Sequence, residues 1–239
     1  MNQRVTRRPK SDAEFEELVQ RNRDLSRSCR SLSGNLIDFM DTTSAAKDIE
    51  AVRLALGDEM LNALAFSYGT QLLATYAELY PRNIRALVLD GLLDHSQPEA
   101  TFHATEAQAF EKELRRFFAW CITIDCALYD QVKTPEQIFD ELIEQAEGNP
   151  IAAPGCHHQC REDVTGEEIL LAVNDMILSQ DQWPMLSQAL KRAWKGDATA
   201  FSEPLWYKGM ADIDANALYA KYGIECQDWV RRTSSKACK

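Results

Sequence analysis

The sequence has no long apolar run, as a membrane-spanning helix would need, and few basic residues, which binding to nucleic acids or anionic membranes would need. No stretch approaches the roughly 20 consecutive apolar residues that a membrane-spanning helix requires. Lysine and arginine number 26 against 37 acidic residues, and the net charge is −11. Because nucleic acids and anionic membranes bind basic surfaces, neither is expected as a partner. The basic, polar stretch before Asp12 is followed by no apolar segment, so no secretory signal peptide is predicted.

Low-complexity linkers and internal repeats are absent as well. The 239 residues, 45% hydrophobic and 26% charged, are typical of one soluble domain or of a core with an insertion. Cysteine, by contrast, is abundant. Seven cysteines suit an oxidising compartment, where disulfides persist, and their odd number leaves at least one thiol without a partner in the chain. We therefore expect a piece of a longer secreted, extracellular protein, cut at each end.

The pattern after Thr43 predicts a parallel strand–helix–strand unit. Apolar residues recur there at helical spacing, and Gly57 ends that helix. Leu61–Phe66 is a short, mostly apolar strand, and Gly69–Tyr80 is helical by its period. Ile84–Leu89 is a second apolar run, typical of a strand that is buried on both faces. This order of elements indicates a βαβ unit in a parallel sheet.

Helices without strands between them are expected after residue 94. Thr134 and Thr165 begin capping boxes that mark two of the helix starts. The four expected helices are Ala104–Trp120, Pro135–Gly148, Ile169–Leu178 and Trp183–Gly196. An all-helical block inserted after a βα core is typical of a lid on an α/β enzyme.

The two ends of the chain are expected to be less regular. Residues 1–40 are polar and predict irregular structure apart from a short helix near Ala13–Arg23. Near the other end, Gly223–Cys226 reads as a strand that returns to the sheet. The predicted fold class is therefore α/β, a partial core with a helical lid. Its parts are a core at 1–94, a lid at 95–206 and a return to the core at 207–239.

The segment LAFSYGT, residues 64–70, carries the candidate chemistry. A nucleophile elbow places a serine on a very tight turn between a strand and a helix, and the turn needs small residues two before and two after the serine. Ser67 fits, with Ala65 in place of the usual first glycine and Gly69 in the second position. The backbone N–H of Tyr68 could then donate to a developing oxyanion at the helix start. The alternative is that Ser67 is only a small residue in a tight turn.

Taken together, these segments resemble the tripeptidyl-aminopeptidase branch of the proline-iminopeptidase-like serine exopeptidases, which have the α/β-hydrolase fold. The core resemblance lies in the stretches Thr42–Gly57, Phe66–Pro81 and Ile84–Asp94. The rest of it lies in Trp120-Cys121 with Cys126, in Trp183-Pro184 and in Gly223–Trp229. The resemblance implies that Ser67 is the ancestral nucleophile.

The resemblance also implies parts that this sequence does not hold. Such enzymes carry a glycine-rich oxyanion loop on early strands, and a triad acid and then a histidine on late ones. Nothing before Asp12 could supply the loop, and no histidine follows His158. Without a base, Ser67 is a weakly nucleophilic hydroxyl. We expect a chain of serine-hydrolase lineage that is nearly inactive alone.

Four other residues are candidates for a triad and are set aside. His95 and His103 are interpreted as ordinary residues near the lid hinge. Asp90 ends the second strand, but the family places its acid on a later strand, so a structural role is expected. Asp228 is expected at the edge of the sheet where a triad acid would lie, but it comes too early in the chain to be that acid.

The run CHHQC, residues 156–160, could hold zinc, which binds thiolates and imidazoles. Adjacent histidines in so short a loop rarely turn towards one ion, so a disulfide from Cys156 to Cys160 is favoured. By proximity and resemblance, Cys121 and Cys126 form a second disulfide, while Cys29 pairs with a residue outside the chain. Cys226 and Cys238 stay unassigned, because sequence does not give connectivity. No metal and no cofactor are expected.

The leading hypothesis is an exopeptidase that cleaves short peptides from free N-termini through an acyl-enzyme on Ser67. Its partner would be a peptide substrate. The alternatives are a non-catalytic fragment or pseudoenzyme that acts as an interaction module, and an esterase on small acyl esters. In the former case, sheet edges left open would favour self-association.

Overall fold

Two helices precede the first strand. The computed structural model describes residues 4–157, 160–202 and 216–229. Helix α1 is Asp12–Ser33 and helix α2 is Thr42–Leu56, with a 3-10 segment at Gly34–Phe39 between them. The predicted short helix in an irregular segment is therefore wrong about its length. Helix α1 continues because residues 12–33 contain neither glycine nor proline, and Ser11 caps its first turn.

The predicted strand–helix–strand unit is confirmed. Strand β1 is Leu61–Phe66, helix α3 is Tyr68–Leu79 and strand β2 is Ile84–Asp90. The two strands pair in parallel, with Leu64 opposite Val88 in the ladder. Gly57 ends α2 with a φ of 77°, in the left-handed region where glycine is the favoured residue.

Only one face of this two-stranded sheet is covered in the described part of the chain. Helix α3 packs against both strands and against α2. Alternate side chains on the other face are exposed, among them Leu64, Phe66 and Val88. The prediction that the second strand is buried on both faces is therefore wrong, because no described element lies over its other side.

The middle of the chain is mostly helical. Its helices are α4 (Glu99–Thr123), α5 (Pro135–Gly148), α6 (Gly166–Met176) and α7 (Trp183–Trp194). Both predicted capping boxes are present, at Thr134 and Thr165. One feature was not predicted, a short antiparallel pair of β3 (Ile151–Ala152) and β4 (Asp163–Val164).

The last described element is a helix. Helix α8 is Asn216–Asp228, so the strand predicted at Gly223–Cys226 is wrong. The segment satisfies its backbone internally, and an ion pair one turn apart joins Lys221 to Glu225 at 3.6 Å. Helix α8 passes near Met40, since a Cβ built on Gly223 would lie 3.4 Å from the end of the Met40 side chain.

The Cα positions form two compact units, one of Met1–His103 with Ala215–Lys239 and one of Ala104–Asp214. We call them the elbow unit and the helical unit. The boundaries predicted at residues 94 and 206, and the lid assignment, stay predictions. No helix in the described ranges has both the length and the apolar character that a membrane span requires.

Candidate active site

A single residue, Ser67, joins the end of β1 to the start of α3. Its φ is 50° and its ψ is −125°, a conformation that costs a residue with a side chain on the order of 1–3 kcal/mol. Hydrogen bonds hold it there. The Ser67 N–H donates to the Asp90 carbonyl at 3.0 Å, and the Thr70 hydroxyl donates to the Ser67 carbonyl at 2.7 Å. This is the backbone geometry of a nucleophile elbow.

Small residues around Ser67 make the turn possible. A Cβ built on Gly69 would lie 3.3 Å from the Ala65 Cβ, tighter than ordinary contact. A Cβ on Gly91, whose own φ is 70°, would lie 3.6 Å from the Ser67 nitrogen. The single methyl of Ala65 therefore fills the space that Gly69 leaves, which explains why alanine can replace the usual first glycine.

The predicted oxyanion donor lies at the first residue of α3. In the described part of the chain the Tyr68 N–H forms no hydrogen bond to another residue. A free amide at a helix start, on the positive end of the helix dipole, is suited to an anionic oxygen. The role of Tyr68 as oxyanion donor stays a prediction.

The Tyr68 side chain points into a polar cluster that the sequence did not indicate. Its hydroxyl lies 2.6 Å from the Thr42 hydroxyl, which in turn lies 2.6 Å from a carboxylate oxygen of Asp228. The Gln71 amide donates to the same oxygen at 3.4 Å. Burial raises the pKa of Tyr68, and the negative charge of Asp228 raises it further.

No imidazole contacts Ser67 among the residues that the structure describes. The Ser67 hydroxyl forms no hydrogen bond there. His95 Nε2 lies 3.1 Å from the Asp228 carbonyl, and His103 lies 4.0 Å from Glu99. The Asp90 contribution to the turn is its backbone carbonyl. His158, with Gln159, lies outside the described residues.

The structure pairs Cys121 with Cys126 and Cys156 with Cys160. Their Cα atoms lie 4.7 Å and 5.6 Å apart. The bonded sulfurs of the CHHQC run are therefore not thiolate ligands. Within the described ranges, no three His, Cys, Asp or Glu side chains cluster as metal ligands would.

Comparison with known proteins is consistent with this geometry. The sequence model of a family described as "alpha/beta hydrolase fold" matches residues 8–134, slightly more than half of the chain. The match includes both strands, the elbow and the start of the helical unit.

Three relatives illustrate the similarity. The protein named "Putative hydrolase YuaR" from Escherichia coli (strain K12) is 30% identical over 67% of this chain and 32% of its own length. A tripeptidyl aminopeptidase from Streptomyces lividans is 32% identical over 59% and 28%. The serine protease Hip1 from Mycobacterium tuberculosis (strain ATCC 25618 / H37Rv) is 31% identical over 46% and 21%. The matched region thus spans a third or less of each relative.

Proposed function

Because this chain belongs to the alpha/beta hydrolase fold family, we propose that it carries the nucleophile of a serine peptidase that cleaves short peptides from free N-termini. The observation that supports Ser67 as that nucleophile is its φ of 50° in a one-residue turn between strand and helix. Such strain persists only where the surroundings enforce it, and it is concentrated at functional sites.

In the proposed reaction the Ser67 oxygen attacks the carbonyl carbon of a scissile peptide bond. The Ser67 proton passes to a base, and the carbonyl oxygen becomes an oxyanion that accepts a hydrogen bond from the Tyr68 N–H. Collapse of this intermediate leaves an acyl-enzyme and expels the amine with a proton. Water then cleaves the ester and regenerates Ser67.

The proposed substrate class rests on the relatives. One of them is named a tripeptidyl aminopeptidase and another a serine protease. Both names describe action on peptides, which favours a peptide over a small ester for this chain. The two disulfides are consistent with an oxidising, extracellular location, which we propose as well.

We further propose that the chain of 239 residues has almost no activity by itself. The reason is the base, since the Ser67 hydroxyl has no imidazole beside it among the described residues. In serine proteases the loss of one triad member lowers the rate by several orders of magnitude.

A second candidate function is an interaction module without catalysis. The uncovered sheet face favours it, because Leu64, Phe66 and Val88 are each more than half exposed. Parallel sheets are normally buried on both sides, so such a face is suited to another polypeptide. An esterase on small acyl esters is the third candidate, since the elbow alone does not select peptides.

A chimera separates these candidates. The 59% of this chain that aligns with the Streptomyces lividans enzyme would replace the aligned part of that enzyme, with a Ser67→Ala version as control. The substrates would be fluorogenic tripeptide amides with free and with acetylated N-termini, and short acyl esters.

The proposal predicts Ser67-dependent cleavage of the free peptide and not of the acetylated one. Cleavage of esters alone would favour the esterase. A folded chimera without any Ser67-dependent turnover would contradict the peptidase and leave the interaction module.

A further inference from the structure

The C-terminal end of α8 contacts the first residues of both helices that flank the elbow. The Asp228 carboxylate accepts from the Thr42 N–H at 2.7 Å, at the start of α2. It also accepts from the Thr42 hydroxyl at 2.6 Å and from the Gln71 amide at 3.4 Å, in the first turn of α3. Thr42 and Gln71 are both only 4% exposed. One carboxylate therefore joins two buried helix starts.

The direction of the hydrogen bonds in this cluster follows from its chemistry. A carboxylate only accepts, so the single hydroxyl proton of Thr42 is directed towards Asp228. The Thr42 oxygen is then left to accept, and the Tyr68 hydroxyl must be the donor of the 2.6 Å bond between them. Asp228 thus orients the Tyr68 hydroxyl through two successive hydrogen bonds, one from the Thr42 hydroxyl to Asp228 and one from the Tyr68 hydroxyl to Thr42.

Other contacts hold Asp228 in place. His95 Nε2 lies 3.1 Å from its backbone carbonyl, and the ring of the next residue, Trp229, lies 4.8 Å from the His95 ring. Trp229 also lies 5.1 Å from the Phe102 ring. On the other side, the Gln227 amide donates to the Ile37 carbonyl at 2.8 Å. The end of α8 is therefore held by several other segments of the elbow unit.

We propose that Asp228 is a positioning residue of the elbow, which holds Tyr68 through Thr42 and so orients the residue that follows the nucleophile. Asp228 does not touch the reacting atoms. The proposal rests on Ser67 as nucleophile, and it gives Asp228 a role other than that of a triad acid.

An asparagine in place of Asp228 would break this arrangement specifically. Two donors, the Thr42 hydroxyl and the Gln71 amide, converge on one oxygen of Asp228, while the Thr42 N–H uses the other. An amide has only one oxygen, so its NH₂ group must face donors on one side. The Thr42 hydroxyl would turn to accept from that group and would donate to Tyr68 instead, which reverses the chain of bonds.

The test reads Tyr68 directly by NMR of the 239-residue chain with labelled tyrosine rings and backbone amides. The tyrosine ring signal that disappears in Tyr68→Phe is thereby assigned to Tyr68. Asp228→Asn should lower the titration midpoint of the Tyr68 phenol, because a negative charge is lost and the phenolate gains a donor. Thr42→Val should lower it as well, because the phenol loses the hydroxyl to which it donates, and that hydrogen bond favours the protonated phenol.

Controls accompany both variants. Thr42→Ser keeps the hydroxyl and should leave the midpoint near that of the unmodified chain. Asp24→Asn removes an exposed carboxylate on α1 and should change nothing at Tyr68. Thr42→Val also provides an outcome if Asp228→Asn fails to fold, since valine keeps the shape of threonine.

The amide signals of Ser67 and Tyr68 decide whether the elbow is positioned. We expect them to shift in Asp228→Asn and Thr42→Val and to stay in place in Thr42→Ser. An unchanged Tyr68 midpoint, or a changed midpoint with unmoved elbow amides, would overturn the proposal. Neither reading uses the reactivity of Ser67, so a catalytically silent chimera would leave this result intact.

Discussion

The two units of this protein bury different kinds of side chain. The helical unit has one continuous apolar core, and its fully buried members include Phe117, Leu128, Leu142, Ile169 and Leu186. In the described part of the elbow unit only four apolar side chains are buried, namely Ala46, Ala65, Leu73 and Tyr76. The elbow unit instead buries Thr42, Glu50, Arg53, Thr70 and Gln71.

The two units are therefore held together by different interactions. Burial of apolar area stabilises the helical unit. In the elbow unit, Glu50 accepts from Arg53 at 2.7 Å, from Tyr76 at 2.6 Å and from Asn83 at 2.9 Å. Arg53 also donates to two backbone carbonyls of the loop before β1. Ser67 thus lies in a unit that is held together by buried hydrogen bonds and whose sheet has one open face.

The substitution that should destabilise the protein most lies in the core of the helical unit. Leu142→Ala should lower the free energy of unfolding by about 3 kcal/mol, since it leaves a cavity at a fully buried site. Leu64→Ala is the matched control on the open sheet face, where the side chain is 59% exposed, and should change stability by less than about 0.5 kcal/mol. Urea unfolding followed by circular dichroism measures both. Equal losses of stability in the two variants would contradict the difference in burial between the helical core and the open sheet face.

The next effect concerns the polar scaffold. Glu50→Gln should lower stability more than the exposed control Asp24→Asn, because it leaves the buried Arg53 guanidinium without its carboxylate. The Arg53 hydrogen bonds, with those of Tyr76 and Asn83, lower the pKa of Glu50 from 4.5 to about 2.

This pKa predicts a pH dependence with a definite sign. The unfolded chain binds a proton at Glu50 more readily than the folded chain does. The stability that the Glu50 carboxylate contributes is therefore present above pH 4.5 and is lost as the pH falls towards about 2. Unfolding measured across that range should show a smaller fall in stability for Glu50→Gln than for the unmodified chain. An identical fall would show that Glu50 does not carry this dependence.

Substitutions of Ser67 itself should change stability by a smaller amount. Ser67→Gly should be more stable than Ser67→Ala by about 1 kcal/mol, because glycine relieves the strain at a positive φ although it gains more entropy on unfolding. Thermal unfolding of the two variants gives the comparison. Greater stability of the alanine variant would mean that residue 67 is not held at a positive φ.

The smallest effect is a coupling between the two small residues of the turn. Gly69→Ala places a methyl group 3.3 Å from the Ala65 Cβ and should cost up to about 1 kcal/mol. In an Ala65→Gly background the same change should cost less, since the opposing methyl is gone. Simple additivity in this double-mutant cycle would argue against the contact.

Local signals in the sequence were sufficient for most of the elements. Gly57 predicted the end of α2, and Thr134 and Thr165 predicted helix starts, because each acts through its nearest neighbours. The tight turn at Ser67 was predictable for the same reason, since Ala65 and Gly69 lie within two residues of it.

Features that depend on distant partners were not predicted. The spacing of Val52 and Leu56 indicated an apolar face on α2, but both are exposed, and the helix buries Glu50 and Arg53 instead. That choice depends on Tyr76 and on Asn83, which follow much later in the chain. The helix at the end of the described chain was read as a strand, because a short mixed run is ambiguous without its neighbours.

Labelling of the purified chain with a fluorophosphonate probe, beside Ser67→Ala, would show whether Ser67 is activated in this chain. We predict a folded chain that is labelled no more than its control, because no base contacts the Ser67 hydroxyl in the described residues. Labelling that disappears in Ser67→Ala would contradict it, and would show that this chain activates its serine with a group not yet assigned.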